Sequence, residues 1–140
     1  MNKTQLIKRL VIGSANFTQK YGADPIKLND KENKKILNLA KNVGIYEIDT
    51  AKTYLKNKDI FLDIDKKFKF STKIIPNSKW VSLDFCQKQL DDHFKSFGTN
   101  KIETLLFHDI KILFTKKGMK IFNNLEVLKK LDYQFMIQVV

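Results

Sequence analysis

Five short apolar runs, spaced by roughly the 30 residues of a βαβ unit, constrain this chain more than any other feature. They are Leu10–Gly13, Val43–Asp49, Phe68–Ile75, Ile102–Phe107 and Phe135–Val140. Each is short and rich in β-branched or aromatic residues, as in a strand buried on both faces. Between them the apolar spacing changes to three and four residues, the mark of amphipathic helices. Ile36, Leu37, Ala40 and Val43 predict a helix from Asp30 to Val43, with Asn29 and Glu32 at capping-box spacing and Gly44 as its stop. Ile60, Phe61 and Ile64 predict a short helix within Asn57–Ile64. Leu83, Cys86, Leu90, Phe94 and Phe97 predict one from Ser82 to Phe97, closed by Gly98. Ile121, Phe122, Leu125, Leu128 and Leu131 predict a last one. Strand and helix alternate four times before a final strand, which implies an α/β fold with a parallel sheet.

Two common parallel folds lose their main support. Neither a Gly-x-Gly-x-x-Gly turn after the first strand nor a Walker loop is present, so a barrel of (β/α) units gains. With 140 residues and no linker of biased composition, one domain over residues 1–140 is expected, and 43% apolar residues suffice for its core. The absence of a long uncharged apolar run and the polarity of Met1–Leu10 predict a soluble, cytoplasmic protein without membrane contact. The 26 Lys and Arg exceed 15 Asp and Glu, yet Arg9 is the only Arg and the lysines are scattered. That pattern fits a solvated surface, and a nucleic-acid partner is not expected. Cys86 stands alone and is read as core filler. Two His and one Cys show no metal-ligand spacing.

The strand ends carry the chemistry. Asp49, Lys73 and His108 fall at the carboxyl ends of the second, third and fourth strands, and Tyr54 lies on the loop after the second. In a barrel these ends converge on one mouth. A Tyr hydroxyl is a poor acid at neutral pH. An ammonium from Lys73 would help it release a proton, Asp49 would hold that ammonium in place, and His108 could orient a carbonyl. None of the four can deliver a hydride, so reduction needs a cofactor. Gly13, with Ser14 and Ala15 after it, would let a ligand approach the backbone closely. His93 is read as a surface or boundary residue beside its helix's stripe, and Trp80 as packing over its loop.

Together, Gly13, Asp49-Thr50-Ala51-x-x-Tyr54, Ser71-Thr72-Lys73 and Leu105-Leu106-Phe107-His108 resemble the amino-terminal half of an aldo-keto reductase. The resemblance implies an (α/β)8 TIM-type barrel that reduces an aldehyde or ketone with NADP(H). It implies Asp49, Tyr54, Lys73 and His108 as the catalytic tetrad, Tyr54 as general acid, and Gly13, Ser14 and Asp49 on the cofactor. The segment Gly13–Phe17 with Tyr21-Gly22 is most similar to a branch linked to sugar or surface-polysaccharide metabolism. The sequence departs from the family in reaching only the fifth of eight strands, as (βα)4β. The family's positions for the nicotinamide amide, the pyrophosphate and the 2′-phosphate are not among its residues, and the fifth strand lacks the family's Gly-x-Ser turn. Impaired cofactor binding is therefore expected. The alternative is a non-catalytic half-barrel that self-associates through open sheet edges and a wet apolar inner face.

Overall fold

A computed structural model describes residues 6–7, 9–23, 25–54, 58–61 and 64–139. Five strands, β1 (Val11–Gly13), β2 (Glu47–Ala51), β3 (Lys69–Ile74), β4 (Lys101–Phe107) and β5 (Gln134–Val139), form one sheet. All neighbours pair in parallel, and strand order follows chain order from β1 to β5. A doubly wound sheet must reverse its strand order at a switch point. Here the order never reverses, and the sheet grows in one direction, as a barrel does.

Helices α1 (Ala15–Thr18), α2 (Asp30–Val43), α3 (Leu83–Phe97) and α4 (Lys116–Lys130) lie between the strands. Local chemistry fixes their ends. Asn29 accepts from the Glu32 N–H while the Glu32 carboxylate accepts from the Asn29 N–H, completing the capping box. Gly44, at φ 86°, closes α2 in the left-handed region, and Gly98 does the same for α3. Two apolar clusters seat the helices on the sheet. One joins Phe17 and Leu37 to Ile48, Phe61, Phe68, Phe70 and Phe97, with the Phe70 and Phe97 rings stacked at 5.0 Å. The other joins Leu90, Ile121, Leu125 and Leu128 to Ile74, Leu105, Phe107 and Phe135.

Several expectations shift. Val43 ends α2 as expected, and the second strand takes only the latter part of the run after it, Glu47–Ala51, which goes two residues beyond Asp49. The expected short helix is a 3₁₀ turn, Lys58–Phe61; Asn57, Leu62 and Asp63 lie outside the described residues, as does Val140 of the fifth strand. His93, expected at the surface or the boundary, is only 3% exposed, whereas Trp80 packs into the second cluster in line with its reading as a packing residue. The sheet face away from the helices is not an apolar surface. Alternation places Glu47, Asp49, Lys69, Ser71 and Lys73 there, and Glu103 pairs with Lys69 at 3.5 Å and Lys101 at 3.8 Å. Among the described residues, the exposed large apolar side chains of the sheet sit on its outer strands, at Val11 and Met136. No described helix is long and apolar enough to cross a membrane.

Candidate functional site

The register of the sheet assembles the strand-end residues. Gly13 pairs with Asp49 and Asp49 with Ser71, while Lys73 pairs with Ala51 one pleat further on. Asp49 and Lys73 therefore share a face on neighbouring strands, diagonally offset. The Lys73 ammonium donates to both Asp49 carboxylate oxygens, at 2.8 and 2.6 Å, with the two side chains 26% and 37% exposed. Such a two-pronged, charge-assisted contact fixes where the ammonium lies. Ser14 follows the turn out of β1, and its N–H donates to the Asp49 carbonyl at 2.9 Å. Ser14 is 2% exposed, and its buried hydroxyl has no hydrogen-bond partner. At Gly13 an added Cβ would meet nothing within 4 Å, so this strand end is open to an approaching group.

Beyond β2 the chain makes a 3₁₀ turn, Lys52–Tyr54, which is held from two sides. The Thr18 hydroxyl donates to the Tyr54 carbonyl, and the Lys52 ammonium pairs with Asp92 of α3 at 2.9 Å. The Tyr54 ring lies 6.2 Å from that of Tyr21. His108, exposed just past β4, is tied by its N–H to the Ile74 carbonyl at 3.1 Å. Tyr54, Lys73 and His108 line one cleft of about 420 Å³. Asp49 is not in its wall and reaches it through Lys73. Among the described residues the Asp49–Lys73 contact is the only hydrogen bond within the set of four.

The cleft also holds residues that the sequence reading set aside. Trp80, in the 3₁₀ turn Ser78–Val81, meets Phe85 edge-on at 5.9 Å, and both line the cleft with Ile74 and Ile75. His93 forms a further part of the wall. Its burial disfavours the imidazolium and lowers its pKa from the usual imidazole range, more than the Gln89 carbonyl raises it. The signal for His93 was its spacing, since it follows Cys86 by seven residues and Leu90 by three. Cys86 is fully buried, its thiol donating to the Trp80 carbonyl at 2.9 Å, and burial pushes it up to about 11. Among the described residues no group of three His, Cys, Asp or Glu is placed to hold a metal ion.

A family model described as the aldo/keto reductase family matches residues 9–133. Solved structures of that description match as well. A protein from Pseudomonas aeruginosa described as an aldo-keto reductase aligns with a TM-score of 0.71 at 18% identity, covering 92% of this chain and 54% of its own. The glycerol dehydrogenase of Gluconobacter oxydans aligns at 0.63 and 17% identity, covering 92% and 43%. An aldo/keto reductase from Brucella melitensis aligns at 0.59 and 18% identity, covering 92% and 47%. At these identities the structures show a shared fold, the (β/α)8 barrel, of which this chain spans about half the length. No curated protein sequence matches significantly.

Proposed function

We propose, for a chain that belongs to the aldo/keto reductase family, that it carries the proton-delivering half of an NADP(H)-dependent oxidoreductase. The reaction is reduction of a small aldehyde or ketone, of a sugar-related kind, to an alcohol. The observation that carries this reading is the double contact of Lys73 with Asp49 beside a cleft shared by Tyr54 and His108. Asp49 aims the ammonium, and the ammonium favours the negative charge that develops on the Tyr54 oxygen as its proton leaves. His108 donates to the carbonyl oxygen and orients it. A bound nicotinamide supplies the hydride.

The nicotinamide end of such a cofactor fits residues present here. The unpartnered Ser14 hydroxyl, the open strand end at Gly13 and the half-exposed Asp49 carboxylate would hold it. Residues 1–140 then act as one partial barrel domain with weakened cofactor affinity. Titrating the purified chain with NADPH and following nicotinamide fluorescence tests the reading. A weak, saturable response, lowered further in Ser14→Val, is expected. No response at high micromolar protein would contradict it.

A second reading, a non-catalytic half-barrel that pairs with a second copy, draws on the exposed Val11 and Met136 of the outer strands. It predicts concentration-dependent association without nucleotide binding.

A further inference from the structure

Helix α1 is too short to stand by its own bonds. It has four residues, and Ser14 at its start supplies no side-chain cap. It is pinned from outside instead. The fully buried Asn33 of α2 donates its amide to the Phe17 carbonyl at 3.1 Å, and the Leu28 N–H donates to the Asn16 carbonyl at 2.9 Å. From that anchored position two polar side chains of α1 reach outward. The Asn16 amide donates to the carbonyls of Tyr21 at 3.0 Å and Ile26 at 2.7 Å. The Thr18 hydroxyl donates to the Tyr54 carbonyl.

Tyr21 and Tyr54, the residues held in this way, are the two whose rings meet, with centroids 6.2 Å apart and planes tilted by 50°. One short helix therefore holds the main chain of both partners in a ring pair. Tyr54 ends a 3₁₀ turn of only three residues, Lys52–Tyr54, which has little bonding of its own to set its direction. Thr18 is 5% exposed, and a buried hydroxyl costs stability unless it is hydrogen-bonded. Valine would fill nearly the same space without that cost. What threonine adds is the bond to a carbonyl 36 residues away.

We propose that Thr18 is a positioning residue for Tyr54, holding the end of the turn so that the phenol stands against Tyr21 and in the wall of the cleft shared with Lys73 and His108. The inference rests on the reading of Tyr54 as proton donor. Thr18 is not itself in the wall of that cleft and acts through Tyr54. A displaced phenol impairs proton transfer more than it impairs binding of the carbonyl, so the loss falls on kcat.

The test compares the full chain with Thr18→Val, Thr18→Ser and Tyr54→Phe. Carbonyl-dependent NADPH oxidation is measured with a small aldehyde at high NADPH, and cross-peaks between the Tyr21 and Tyr54 ring protons are followed by NMR with ¹³C-labelled tyrosine. Thr18→Val is expected to lower kcat about tenfold at nearly constant carbonyl KM and to lose the cross-peak. Thr18→Ser, which keeps the hydroxyl, is expected to restore both, whereas a threonine that only filled space would be replaced better by valine. A Thr18→Val that keeps either its kcat or its cross-peak, while Tyr54→Phe loses turnover, would overturn the positioning role and leave the proton-delivery reading standing. Unchanged turnover in Tyr54→Phe would overturn that reading and the inference built on it. If Thr18→Val does not fold, Thr18→Ala takes its place, and a wild type without the cross-peak overturns the inference by itself.

Discussion

At the scale of single residues, burial sets the behaviour of the two groups that sequence reading finds least informative. Cys86, fully buried and pushed up to about 11, has only about one thiol in a thousand ionised near pH 8. Iodoacetamide should therefore label it at the rate of unfolding, and rapid labelling of the native chain would contradict that placement. His93 has its folded pKa below the ordinary value of 6.5. As pH falls below that value the unfolded chain takes up the proton first, so stability declines with acidification. Lys52 and Asp92 flank the ring, and Lys73 and His108 face the same cleft. Urea midpoints at about pH 7.5 and about pH 5.5 should differ more for wild type than for His93→Gln, and equal losses would refute it. Cys86 was legible because a lone cysteine on an apolar stripe is core filler. His93 was not legible because the stripe drawn through Leu90, Phe94 and Phe97 puts it to one side, whereas Phe94 is only half-buried and His93 is the buried neighbour.

At the scale of elements, helix ends were the most legible part because capping is local. Asn29 with Glu32, Gly44, Ser82 and Gly98 all act within one turn of where they stand. The start of α4 was not legible from its apolar stripe, since the helix begins at Lys116, five residues before Ile121. Thr115 caps it by accepting from the Gly118 N–H at 2.9 Å. Gly118 is there for space: a Cβ would overlap the Ile112 carbonyl oxygen of the preceding 3₁₀ turn, Ile110–Phe114. Replacing glycine by alanine inside an exposed helix usually stabilises by about 1 kcal/mol. Gly118→Ala should instead destabilise by about 1–3 kcal/mol, as overpacking does, measured by urea unfolding. A stabilised variant would show that the turn moves freely away from the helix. The extent of β2 was misjudged for a different reason. Strand limits depend on pairing with β1 and β3, which no local pattern records.

At the scale of the whole molecule, alternating elements foretold a parallel sheet, and missing phosphate loops favoured a barrel over a doubly wound fold. The strand order from β1 to β5 agrees. The charged inner face was not foreseen, because strands read as continuous apolar runs hide which alternate positions face the helices. Those charges leave Met136, 58% exposed on β5, among the few apolar groups of the outer strands. If the chain pairs through that strand, Met136→Lys should lower its average mass in sedimentation at high concentration. Identical masses for the two proteins would exclude β5 as the contact. The central claim concerns Tyr54, placed with Lys73 and His108 around one cleft and with Lys73 aimed by Asp49. Its most direct test is carbonyl-dependent oxidation of NADPH by the wild-type chain and by Tyr54→Phe, across a panel of small aldehydes and ketones. The account predicts a rate that saturates only at high NADPH in the wild type and is lower by about 10²-fold or more in the variant. Equal rates in the two proteins, or none in either, would contradict it.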